Sequence, residues 1–215
     1  MTKPAPARLI GYFAKSAPVC IILRRGPSRY TLMIKWNTDT DVFEVGQWIR
    51  GKVDSFSMTS SGTHAAIGIM GGISRKTNED DDGQHAIVCR PPFFTAIEAF
   101  VGGTCFNHFT FLADNRLCRV GEHLKIFAKD ECPFNTASWG ETYPYRATTG
   151  FIDARDHSSR GRDHSGREIL FDSGKIFVIE NGEPRLLFDT NPLKFTPVEP
   201  PAWALTWNEM PGDHT

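Results

Sequence analysis

The sequence is poor in the features that announce a catalyst or a membrane protein. Its 24 Lys and Arg against 25 Asp and Glu leave a net charge of -1, so no overall basic field draws nucleic acid or an anionic membrane to it. No window approaches 18 uncharged apolar residues, which excludes a membrane-spanning helix. The apolar stretch 9–14 is cut by Lys15 and is too short for the core of a secretory signal. The five cysteines (Cys20, Cys89, Cys105, Cys118 and Cys132) are odd in number and never spaced as Cys-x-x-Cys. Most sit in apolar company, so they read as buried free thiols in a reducing cytoplasm. There is no Gly-x-Ser-x-Gly elbow, and neither Gly71-Gly72 nor Gly102-Gly103 leads into Lys-Ser/Thr. Cys105 and His108 lie three apart on a strand-like segment, which splays them to opposite faces.

What is abundant is turn chemistry and aromatic bulk. Glycine (19) and proline (14) punctuate a 215-residue chain that carries 16 Phe and 5 Trp, a composition for many short strands. Residues 29–36 and 42–48 flank an Asx-rich turn and predict a hairpin, with Tyr30, Leu32, Ile34 and Trp36 on one face by the two-residue period. Residues 53–58 and 63–72 predict a second hairpin about a turn ending in Gly62, and 107–112 with 117–121 a third. The plainest is 174–179 with 184–189 about Asn181-Gly182, because that dipeptide suits a two-residue hairpin turn. A short strand is expected at 86–89 and another at 123–128. Residues 95–100 are the one helix candidate, and 130–166 read as loop. Residues 1–215 form one β domain in this reading, with 191–215 a Pro- and Trp-rich tail packed on it.

Two segments share a phrase. Residues 56–68 and 109–121 each run strand, polar turn, small or apolar strand, glycine, 53 positions apart. This resembles the inner hairpin of degenerate WD-type β-propeller blades, and 174–189 resembles the outer pair of such a blade. Arg24-Arg25-Gly26-Pro27, followed by the Trp36 hairpin and Gly46-Gln47-Trp48, is also similar to bacterial propeller-like proteins of no assigned activity. Blades run about 40–45 residues, so the chain has room for about four or five. The resemblance implies an all-β fold built as a small or incomplete propeller-like array of antiparallel hairpins; a β-sandwich with the same hairpins is the alternative.

Two polar segments stand out as candidate sites. Arg155-Asp156-His157-Ser158 and Arg162-Asp163-His164-Ser165 repeat the same four residues. Two His and two Asp suit a metal or a general base, yet neither spacing is a known metal pattern and no apolar frame holds the segment. A solvated mixed-charge loop is the plainer reading, with partner contact as its functional use. Glu79, Asp80, Asp81 and Asp82 form an acidic run without the alternating ligands of a calcium loop; it would present negative charge to a basic partner. Trp139 and Tyr143 are aromatic neighbours of the same surface. With no catalytic set, no cofactor and no metal expected, the reading by elimination is a non-catalytic, cytoplasmic module that binds another protein. An inhibitor or immunity protein that neutralises a cognate bacterial toxin would be of this kind. The alternatives are a metal-dependent hydrolase or nuclease using the His157/His164 loop, and a small-ligand or glycan binder using exposed aromatics.

Overall fold

A computed structural model of the chain describes residues 5–26, 28–70, 84–101, 108–112, 115–120, 126–128, 136–137, 150–155 and 158–207. Among these residues every long element is a strand, and the single helical turn is a short 3-10 segment at Ala202–Leu205. In chain order the strands are β1 (Arg8–Phe13), β2 (Val19–Arg25), β3 (Tyr30–Asn37), β4 (Val42–Arg50), β5 (Lys52–Met58), β6 (Ala65–Met70), β7 (Gln84–Cys89) and β8 (Ala96–Val101). They continue as β9 (His108–Phe111), β10 (Leu117–Val120), β11 (Ile126–Ala128), β12 (Thr136–Ala137), β13 (Phe151–Ala154), β14 (Ser159–Arg162), β15 (Glu168–Asp172), β16 (Lys175–Glu180) and β17 (Glu183–Asp189).

They form four sheets, two of which recruit a strand from later in the chain: β13 joins the first and β11 the second. The first is β13-β1-β2-β3-β4, the second β11-β8-β7-β6-β5, the third β12-β10-β9 and the fourth β14-β15-β16-β17. All pairings are antiparallel except that of the two-residue β12, which lies parallel to β10. Among the described residues no sheet closes on itself. The fold is therefore an all-β array of antiparallel hairpins, an arrangement shared by an incomplete propeller and a layered sandwich.

Three apolar seams fix the order of the layers as fourth, first, second, third. On one face of the first sheet Leu9, Ile22, Leu32, Ile34 and Trp36 meet Ile169, Phe171, Ile176 and Val178 of the fourth. On its other face Ile21, Leu23 and Met33 meet Met58, Ala65, Ile67, Ile87 and Cys89 of the second. The far side of the second sheet places Ala66, Ala86, Val88 and Ile97 against Phe109, Phe111 and Leu117 of the third, with Trp207 from the tail. The strand sequences explain the order. Residues 20–23 and 32–34 are uninterrupted apolar runs buried on both faces. In contrast, β15 and β16 alternate buried and half-exposed, as an outer layer must. Close packing also dictates Gly11, where a Cβ would sit 2.7 Å from the Phe171 ring of the facing sheet.

Several expectations need correction. The helix candidate at 95–100 is strand β8: it pairs with β7 through Ala86↔Phe100, Ile87↔Ala99 and Val88↔Glu98, and ladder hydrogen bonding there outweighs a weak local helical preference. The supposed loop 130–166 contains β12, β13 and β14, of which β13 pairs with β1. Residues 8–25, to which the expectations from sequence assign no hairpin, are the hairpin β1–β2 within the first sheet.

Candidate binding surface

The two ends of the first sheet are built in opposite ways. At one end lie the turns β1–β2 and β3–β4, and these are stitched to the turns of every other sheet. Thr38 N–H donates to the Pro18 carbonyl (2.8 Å) and Ser16 N–H to that of Ser60 (2.8 Å). Ser60 N–H in turn donates to the Asn115 side-chain carbonyl (2.6 Å) in the β9–β10 turn. On the other side Arg167, at the foot of β15, reaches the β3–β4 turn: it donates to both Asp41 carboxylate oxygens (3.1 and 3.0 Å) and to the Thr38 carbonyl. Its Nε donates to Asp163 (2.7 Å). The Asp41 carboxylate, in a left-handed residue of the turn (φ 54), also accepts from Trp36 Nε1 (3.3 Å). Hydrogen bonds to Asp41 and then Asp163 raise the Arg167 pKa despite partial burial. His64, at the end of the β5–β6 turn, is buried against the Trp207 ring at 5.8 Å. Burial, with the Arg90 charge, lowers its pKa to about 4, so the ring is neutral at physiological pH.

At the opposite end antiparallel register gathers arginines that lie far apart in sequence. Arg8 faces Arg25 across β1 and β2, and Arg50 faces Tyr30 across β4 and β3. Arg29 sits at the entry to β3, its carbonyl accepting from Gly51 N–H (3.0 Å). Arg24 lies in register with Leu9 and Leu32, and Leu32 with Trp48. These residues share one face, and the Arg24 guanidinium reaches over the Trp48 ring at 5.1 Å. Arg24 is only 4% exposed, and its Nε is buried with no hydrogen-bond partner. Burial alone pulls its pKa down, with no neighbouring carboxylate to offset it. None of Arg8, Arg24, Arg25, Arg29 and Arg50 forms an ion pair among the described residues. Aromatic rings frame the Arg24 side of the sheet. Phe195 of the tail, 51% exposed, lies 4.6 Å from the Tyr30 ring and 6.2 Å from that of Trp48.

The residues singled out from sequence fare unevenly. Glu79, Asp80, Asp81, Asp82, Trp139, Tyr143, Asp156 and His157 lie outside the described residues. Arg155 is exposed and clamps Asp153 through Nε at 2.9 Å. Arg162 is exposed and donates to the Gly166 carbonyl (2.8 Å), and His164 is exposed at the turn. Asp163 departs from the expectation of a solvated contact loop, because its side chain has no exposed surface. Its carboxylate accepts from Ser165 N–H (3.0 Å), Ser165 Oγ (2.9 Å), Arg167 N–H (2.9 Å) and Arg167 Nε. The second Arg-Asp-His-Ser phrase is thus a hairpin turn held from inside, with both oxygens of its aspartate engaged by the turn's own donors. Among the described residues no group of three or more His, Cys, Asp and Glu is placed to hold a metal ion. Cys20, Cys89 and Cys118 are buried, and burial raises the Cys20 and Cys89 thiols far from thiolate formation.

Of the five tryptophans, Trp36 and Trp207 are core, while Trp203 lies under the Arg90 guanidinium at 5.0 Å and against Phe93 at 5.4 Å. Trp48 belongs to the arginine end, a grouping that local motifs in the sequence do not reveal. The signal that could have found it is one basic residue at the same end of each successive strand. Among the described residues no helix is long and apolar enough to cross a membrane. The chain matches no protein-family model and no curated protein sequence.

Proposed function

We propose that this chain is a non-catalytic protein-binding module of the cytoplasm, an inhibitor or immunity protein that neutralises a cognate bacterial toxin, and that the arginine end of its first sheet is the contact surface. The observation that carries the reading is the unpaired cluster of Arg24, Arg50, Trp48 and Tyr30. Arg, Trp and Tyr are the residue types that dominate binding energy at protein interfaces, and here they stand on rigid strands rather than on loops. Cross-strand Arg8 and Arg25 repel each other, and Arg24 holds a buried Nε without an acceptor and no paired anion. Both features cost stability in the isolated chain, which is expected where side chains are arranged for a partner and not for the fold.

The test is capture of partners from the extract of the chain's own cells by the full-length tagged protein, with intact-mass analysis of the eluate. A stoichiometric protein retained by the wild type and lost with Arg24→Met plus Arg50→Gln supports the reading. Turnover of a substrate by the purified chain, with no protein retained, would sink it.

A further inference from the structure

We infer that the partner docks through a carboxylate-rich segment, one carboxylate of which pairs with the Arg24 guanidinium beside Trp48; this rests on the protein-binding reading above and names the chemistry of its partner. The argument begins with what Arg24 lacks. The Arg24 stem and its Nε are buried while the Nη end of the fork is not among the buried atoms, and in a folded protein the hydration such an Nε loses is offset by carboxylates or carbonyls. Arg24 has neither: its Nε is orphaned and its one specific contact is a ring face. The guanidinium presents a planar fork of donors that fits a carboxylate two bonds at a time.

The surroundings select the class of anion. Arg50 lies on the same face one register step beyond Trp48, and Arg8, Arg25 and Arg29 extend the positive charge around the sheet end. A single small anion would leave most of this charge unmet, whereas an acidic segment spans it. Trp48 carries the guanidinium on its face, and Phe195 and Tyr30 continue the apolar surface on the far side of Trp48. An apolar surface of that kind excludes water from a charged pair beside it, which strengthens the pair. A single-stranded nucleic acid also uses arginines and rings, but it needs successive ring faces open for base stacking. Here the Trp48 face is taken by Arg24, and Tyr30 and Phe195 are packed on each other.

The probe is a fluorescein-labelled hexaglutamate peptide read by anisotropy against the full chain at low ionic strength, with a fluorescein-labelled 12-mer of thymidine as its competitor class. The peptide is expected to bind, to weaken steeply as salt rises, and to bind about tenfold less tightly after Arg24→Met plus Arg50→Gln. A charge-matched pair on the other face, Arg8→Gln plus Arg25→Gln, is expected to cost about threefold or less, because charges away from the Trp48 face act only through the screened field. Thermal melts establish that each variant folds, and Arg50→Gln alone serves as the reporter should the double variant not fold. Absence of peptide binding, tighter binding of the oligonucleotide, or equal losses from the two charge-matched pairs would each overturn the inference. The two readings fail separately: a captured partner indifferent to the Arg24→Met plus Arg50→Gln change, with no peptide binding, removes the acidic docking site and leaves a protein-binding module.

Discussion

Arg167 and Arg24 are two shielded arginines at opposite ends of the same sheet, and they teach opposite lessons. Arg167 is surrounded by acceptors: two oxygens of Asp41, one of Asp163 and the Thr38 carbonyl. Its charge is part of a chain of hydrogen bonds that runs through the turns of all four sheets, from Asp163 through Thr38, Pro18, Ser16 and Ser60 to Asn115. Arg24 has a tryptophan ring and nothing else. The first arrangement spends polar groups on holding layers in register; the second keeps donors in reserve at a cost to the fold. If that contrast is right, substitutions at the stitched end should damage stability alone, and those at the arginine end should damage binding alone.

The largest expected effect is at the stitched end. Arg167→Met takes the paired cation from the fully buried Asp163 carboxylate and removes the tie to Asp41. Breaking a buried pair by taking one partner away costs about 3–5 kcal/mol, read as a fall in the urea midpoint. A loss below about 1 kcal/mol would remove the contrast, since it would make Arg167 a surface pair. Next comes acid. His64 has a folded pKa of about 4 against an unfolded value near 6.5, so between those values the unfolded chain binds the proton and the folded chain does not. Its stabilising contribution is complete above pH 6.5 and drains away as pH falls toward 4, on the order of 3 kcal/mol in total. His64→Gln should flatten this part of the pH–stability curve; carboxylates elsewhere act equally on both chains, so the difference isolates the ring.

Which parts were legible in the sequence follows from how local their signals are. The β16–β17 hairpin was plain because Asn181 and Gly182 take the left-handed conformations (φ 53 and 84) that its turn requires. The β3 face of Leu32, Ile34 and Trp36 was plain because the far side of the strand begins with Thr31. By contrast β2, with apolar side chains toward both neighbours, offers no alternation to read. In β8, Glu98 sits fully buried inside a strand, which interrupts the apolar pattern and leaves the segment looking helical. Asp163 looked like surface charge because its partners, Arg167 above all, are chosen by the hairpin turn. The arginine end was invisible for a deeper reason. Arg8 and Arg25 meet, and Arg50 joins their end of the sheet, only through antiparallel register, and no search for runs of charge finds residues that three different strand ends bring together.

A smaller effect is expected at the far point of the stitching. Asn115 holds a left-handed backbone (φ 64) and accepts from Ser60 N–H, so Asn115→Ala both strains the β9–β10 turn and orphans a donor. The expected cost is about 1–2 kcal/mol, with no change in binding of the acidic peptide. Weaker binding in this variant would mean that the ends are coupled and would blur the distinction between them.

The smallest change has the most informative sign. Arg24→Met keeps the buried stem and replaces an unpaired, partly buried guanidinium over the Trp48 ring with an apolar thioether. Exchanging buried charge for apolar bulk is often neutral or stabilising, and here no carboxylate is left stranded, because none was paired. The urea midpoint should therefore stay level or rise by about 1 kcal/mol, while affinity for an acidic partner falls. The identical exchange at Arg167 should do the reverse on both measurements. A marked loss of stability in Arg24→Met would show that the stacked guanidinium holds the sheet end together, and the two arginines would then differ in their partners but not in their purpose.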